Sequence, residues 1–159
     1  MDANLINPFI EALYEMFQTM MQTTPERSAP FLQENSHTES DISGIIGFVG
    51  PQVAGSVALC LSKEAAIELY ELTMGESVNG ITNEVKDMVG EFANIIAGTV
   101  KKKMASQELS FHISIPTIVI GSQHAIHHKL DTPVLVIPFT IDEHPFYLKV
   151  SMKILKNKG

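Results

Sequence analysis

Residues 83–105 read NEVKDMVGEFANIIAGTVKKKMA, and the reading of this stretch decides the rest. Turned at about 100° per residue, it gathers Val85, Met88, Val89, Phe92, Ile96 and Val100 into one stripe, with Ile95 at its margin. That pattern predicts a long helix with one face against a core. The opposite face carries Asp87, Gly90, Glu91, Asn94, Gly98 and Lys101. A glycine inside a helix costs about 1 kcal/mol relative to alanine. Here two of them stand four residues before and four after Asn94, directly below and above it on the helix surface. The spacing predicts a bare patch from which one amide projects, with a carboxylate one turn away.

Downstream the period changes from helical to two. SFHISIPTIVIG (110–121), TPVLVIPFTI (132–141) and PFYLKVSMKIL (145–155) read as three strands. Turns fall near 121–131 and at Asp142-Glu143-His144-Pro145, and Pro116 and Pro138 point to edges or bulges. In the last strand Phe146, Leu148, Val150, Met152 and Ile154 face one way, with Lys149, Ser151 and Lys153 on the other side. Upstream, DISGIIGFV (41–49) and VAGSVALCLS (53–62) form a hairpin about Gly50-Pro51. The second of these has no charge on either face, which predicts cover on both. Ser62 caps a helix over 63–74 that Gly75 closes, and 76–81 form a loop. FIEALYEMFQTMM (9–21) is a further amphipathic helix, with Asn7 as its cap, Pro8 in its first turn and Thr23-Thr24-Pro25 as its end. The polar stretch 24–41 holds at most a short extended piece at Phe31-Leu32. The order of elements predicts a single α+β domain over 1–159, a mainly antiparallel β-sheet with helices packed against it. Its two halves read as a possible pseudo-repeat of one helix and three strands.

Composition removes several classes of function. The chain has 159 residues, 45% of them hydrophobic, and one cysteine, Cys60, which excludes wholesale disorder and an internal disulfide. The N-terminal residues carry acids where a secretory leader would carry bases, and no apolar run approaches the ~20 residues of a membrane span. A cytoplasmic protein without a membrane segment is expected. Residues 1–62 hold seven acids and one base, Arg27, and the whole chain has a net charge of −7, a balance that argues against nucleic acid as a partner. Lys101-Lys102-Lys103 reads as a cationic last turn complementing the helix dipole.

Other candidate chemistry is thin. His124, His127 and His128 have ligand-like spacing but no cysteine near them and only Asp131 as a neighbouring carboxylate, so a solvated loop is expected and no metal site. His112 reads as a surface residue. Gly44, Gly47, Gly50 and Gly55 lack the Gly-Lys-Ser/Thr of a phosphate loop, and Cys60 lies mid-strand, away from any nucleophile motif. The methionines, Met16, Met20 and Met21 among them, read as core filler.

Two readings of the 87–101 face remain. One is a solvated polar face that tolerates two glycines. The other is a recessed docking surface of Asp87, Gly90, Gly98 and Lys101 around a working pair, Glu91 and Asn94. An amide is uncharged and both donates and accepts, so it suits positioning a water rather than deprotonating it. A carboxylate suits pairing with a lysine. Together they point to phosphoryl transfer, where positioning the attacking water is most of a protein's task.

The stretch NEVKDMVGEFANIIAGTVKKKM resembles the active-site helix of the CheC/CheX/FliY phosphatases of bacterial chemotaxis. Their Glu-x-x-Asn motif is matched by Glu91-Phe92-Ala93-Asn94, and the small residues that follow it by Ala97 and Gly98. The opening INPFIEA, the strand DISGIIGFVG and the loop before the helix resemble the CheX branch, so the likeness runs over essentially the whole chain. Where the CheC branch has a second motif copy in its first helix, this chain has Glu11-Ala12-Leu13-Tyr14, which implies one site per chain. The resemblance implies a CheC-like fold and hydrolysis of the phospho-aspartate of a CheY-type receiver domain. It implies that Asn94 orients the in-line water and that Glu91 contacts the receiver's lysine. It further implies that Mg²⁺ belongs to the receiver, so that this chain needs no cofactor or metal ligand of its own, and that the chain is a homodimer. Strands 111–120 and 133–141 are the candidate edges for that pairing. The alternative is a non-catalytic receiver-binding or dimerisation module with the same fold.

Overall fold

A computed structural model describes residues 3–33, 40–124 and 132–155. Along the chain run α1 (Ala3–Met21), β1 (Glu26–Arg27), β2 (Phe31–Leu32), β3 (Ser40–Val49), β4 (Val53–Leu61), α2 (Lys63–Met74), α3 (Asn83–Ala105), β5 (His112–Ile113), β6 (Thr117–His124), β7 (Val134–Ile141) and β8 (His144–Ile154).

Local chemistry sets the bounds of α2 and α3. Ser62 and Thr82 are extended N-caps whose hydroxyl oxygens accept the amide N–H groups of Ala65 and Val85 at 3.1 and 3.3 Å. Gly75, at φ 71°, closes α2 in the left-handed conformation, its N–H donating to the Glu71 carbonyl at 2.9 Å. The start of α1 differs from expectation: the helix begins at Ala3, with Asn7 and Pro8 inside it. Proline there has no N–H for the carbonyl four residues back, that of Asn4. The Gln107 amide donates to that oxygen at 3.0 Å, so a side chain from beyond the far end of α3 fills the place of the missing bond.

The strands form one antiparallel sheet in the order β1-β7-β8-β4-β3-β5, with β2 also pairing β7 and β6 also pairing β3. The β3–β4 and β7–β8 hairpins meet at the β4–β8 ladder, and each carries strands from the other half of the chain on its outer edge. The run 110–121 is not one strand. It breaks at Ser114-Ile115-Pro116, where Ser114 bonds to both backbone groups of Gly47. Pro138 sits in the stretch of β7 that faces the gap between β1 and β2, where no ladder needs its absent N–H. Asp142 and Glu143, at φ 46° and 68°, make the two-residue turn between β7 and β8. Strand β7 is paired on both sides and offers no free edge; among the described residues nothing pairs with the outer side of β5 or β6.

All three helices pack on one sheet face, through Phe9, Leu13 and Phe17 of α1, Ala66 and Leu69 of α2, and Val89, Phe92 and Ile96 of α3, against Ile46, Leu59, Ile137, Phe146 and Leu148. Phe146 stacks between Phe17 and Phe139, at ring-centroid distances of 5.5 and 5.4 Å. Gly44 sets how closely α3 approaches. A Cβ on it would lie 3.2 Å from the Ala93 Cβ, the Val89 Cγ1 and the Val89 carbonyl oxygen, so the bare backbone of β3 lets the helix lie flush on the sheet. Among the described residues no helix covers the second face of β4, whose small residues are enclosed instead by side chains of the neighbouring strands. Ala58 and Cys60 are fully buried there against Ile45, Val119 and Tyr147, and Ser43, Lys149 and Ser151 are buried too. Burial pushes the Cys60 thiol up and the Lys149 ammonium down from their ordinary values.

Candidate functional site

With Val85, Val89, Phe92, Ile96 and Val100 fixed in the core, α3 has no freedom to rotate, and its other face is set by the 3.6-residue period. Glu84, Asp87, Glu91, Asn94, Lys101 and Ala105 are exposed along it, with half-buried Gly98 between Asn94 and Lys101. Glu91 and Asn94, one turn apart, both project into solvent, and a Cβ on Gly98 would meet nothing within 4 Å. The open surface above Asn94 is therefore real.

Gly90 differs from expectation. It is buried, and a Cβ on it would reach the Ile118 Cδ1 at 3.4 Å and Pro116 at 3.9 Å. The turn from β5 into β6 lies across that flank of the helix, so the second glycine admits a strand of the same chain rather than leaving a bare surface. Asp87, Glu91, Asn94, Gly98 and Lys101 share the exposed face; Gly90 lies at its edge, beneath β6.

The other flank of Glu91 was not anticipated. Met20, Thr73, Met74, Glu84, Asp87, Met88, Glu91 and Phe92 line an open groove of about 360 Å³ between the ends of α1 and α2 and the first half of α3. Met16 and Met21 are buried as core filler, but Met20 is 36% exposed and Met74 54%. The helical pattern of α1 runs into its last turn, so periodicity alone could not distinguish Met20 from the core methionines before it. No sequence signal joins it to Met74, 54 residues on.

The first helix uses its Glu11-x-x-Tyr14 stretch structurally. Glu11 and Glu15 accept Lys103 at 3.3 and 2.7 Å, which pins α1 to the last turn of α3 and holds the lysine above its usual range. Tyr14 packs edge-on against Phe139 with centroids 5.9 Å apart. Lys101 is exposed on the site face, while Lys102 and Lys103 supply the positive charge of the last turn. His112 is exposed on β5, His124 ends β6, and His127, His128 and Asp131 lie outside the described residues. Among the described residues no group of three His, Cys, Asp or Glu side chains is arranged to hold a metal ion, and no helix is long and apolar enough to cross a membrane.

Known proteins are similar to this chain in sequence and fold. The family described as chemotaxis phosphatase CheX matches residues 42–140. The CheY-P phosphatase CheX of Thermotoga maritima is 27% identical over 157 residues, which cover 96% of this chain and 98% of that protein. A CheC-like superfamily protein from Shewanella sp. PV-4 superposes with a TM-score of 0.91 at 30% identity, covering 96% and 99% of the two chains. The chemotaxis protein CheX from Vibrio vulnificus does so with a TM-score of 0.90, also at 30% identity, covering 95% and 100%.

Proposed function

The chain belongs to the chemotaxis phosphatase CheX family, and from that premise we propose that it hydrolyses the phospho-aspartate of a CheY-type response-regulator receiver domain. Asn94 orients the attacking water and Glu91 pairs with the receiver's lysine. The observation that carries this reading is the placement of Glu91 and Asn94, one turn apart and exposed, on a helix whose other side is locked into the core. The CheY-P phosphatase CheX of Thermotoga maritima, similar to this chain over nearly the whole of both, supports it.

The chemistry asks little of the side chains. Water oxygen bonds to phosphorus as the phosphorus–oxygen bond to the aspartyl group breaks, and both protons of the water leave with inorganic phosphate as dihydrogen phosphate. The departing aspartate is the anion of an acid with pKa about 3.9, so no general acid is needed to release it. What remains is to hold one water in line, and a neutral amide that accepts from the water and donates to the phosphoryl group does that. The Mg²⁺ that neutralises the phosphoryl oxygens is held by the receiver, and this chain supplies no ligand to it. Asp87, Gly98 and Lys101 form the surrounding docking face, Gly90 its edge, and the protein acts in the cytoplasm as a homodimer.

The test is a receiver from the same organism, phosphorylated and purified, followed for loss of phosphate with and without this protein. Acceleration is expected. If every such receiver keeps its phosphate as long with the protein as without, the enzyme reading fails and a binding module remains.

A further inference from the structure

The groove beside Glu91 has features that the Glu91–Asn94 pair does not use. Two exposed methionines, Met20 at the end of α1 and Met74 at the end of α2, converge there over buried Met88 and Phe92. Thr73, in the same wall, has its hydroxyl oxygen shielded from solvent with no hydrogen-bond partner. The long wall is acidic: Glu84, Asp87 and Glu91 recur at intervals of three and four residues and so stand one above another along α3. Among the described residues Lys103 pairs with Glu11 and Glu15, and none of these three groove carboxylates has a basic partner.

Flexible thioethers in water beside uncompensated carboxylates make a surface that gains by covering its apolar floor and by receiving positive charge at its rim. A second copy of this chain, itself at net −7, is the poorer occupant. Glu91 belongs both to the groove and to the pair, so a receiver with its phospho-aspartate at Asn94 has its adjoining surface over the groove. We propose that the groove formed by Met20, Thr73, Met74 and Met88 takes an apolar side chain flanked by a lysine or arginine on the phosphorylated receiver, and that this contact selects which receiver the chain serves. The inference rests on the phosphatase reading and adds to it the determinant of partner choice.

The experiment compares Met20→Lys and Met74→Lys with Met74→Leu and the unaltered protein. Dephosphorylation kinetics are measured on a phosphorylated CheY-type receiver of the same organism, and affinity on that receiver loaded with Mg²⁺ and beryllofluoride. Both methionines are exposed at helix ends, and circular dichroism checks that each variant folds; Met74→Ala replaces any lysine variant that does not. The lysine variants are expected to raise KM and Kd about tenfold, the scale of losing one apolar anchor, with kcat held within about twofold and Met74→Leu close to the unaltered protein. Unchanged KM in both lysine variants, with the unaltered protein active, overturns the groove and leaves the phosphatase reading standing. Loss of self-association in the lysine variants at unchanged KM also overturns it, assigning the groove to a second copy. An unaltered protein inactive on every receiver removes the phosphatase reading and this inference with it.

Discussion

Glu91 and Gly98 stand on the same exposed face, yet changing them should separate docking from stability in opposite ways. Glu91→Ala removes a carboxylate whose proposed contact with a receiver lysine would be made in the ground state as well as in the transition state, so it should weaken binding and slow turnover together. Gly98→Leu adds a side chain where a Cβ meets nothing, so the helix gains up to about 1 kcal/mol of propensity. The same side chain projects into the space a receiver backbone would occupy. The expected outcome is an unchanged or raised Tm with phosphatase activity largely lost. Full activity in Gly98→Leu would mean that the receiver docks elsewhere. At Gly90 the sequence misleads, because what distinguishes it from Gly98 is Ile118 of β6, 28 residues away, and no periodicity in α3 reports that strand.

Among the elements, those with local instructions were legible. The bounds of α2 and the start of α3 follow from Ser62, Thr82 and Gly75, each acting within four residues of itself. The start of α1 was not, because the donor that lets Pro8 sit inside a helix is Gln107, 103 residues along the chain from the Asn4 carbonyl it bonds. Contacts between elements also set the pH response. Glu68 on α2 is held above the usual carboxylate range, first by a hydrogen bond with Asp142 in the β7–β8 turn, then by burial and by Asp142's charge. A carboxyl whose folded pKa is raised contributes stability below its ordinary value of 4.5, and loses that contribution as pH rises through the folded value. Glu68→Gln keeps a donor for Asp142 without the charge, so relative to the unaltered protein it should be more stable at pH 7 than at pH 4. Urea unfolding at the two pH values measures this, and an equal difference at both would contradict it.

For the whole molecule, the α+β architecture was readable because hydrophobic period and caps agreed along the chain, and the CheC-like fold through the resemblance carried by Glu91-Phe92-Ala93-Asn94 and its flanks. One of the two expected assembly edges is occupied: residues 134–141 look like an edge strand in isolation, but β1, β2 and β8 take both their sides. Of the two expected edges that leaves the run holding β5 and β6, where Ile120 is 46% exposed, for the proposed homodimer. Light scattering at micromolar concentration should give twice the 17.5 kDa chain mass, and a mass near 17.5 kDa would contradict the dimer. The proposed hydrolysis stands on one amide. Asn94→Ala, assayed for phosphate release from a phosphorylated receiver at saturating receiver concentration, should slow turnover by about 10²-fold, the scale of removing one preorganised transition-state donor, while receiver affinity stays essentially unchanged. Undiminished turnover in Asn94→Ala would contradict the assignment of the site.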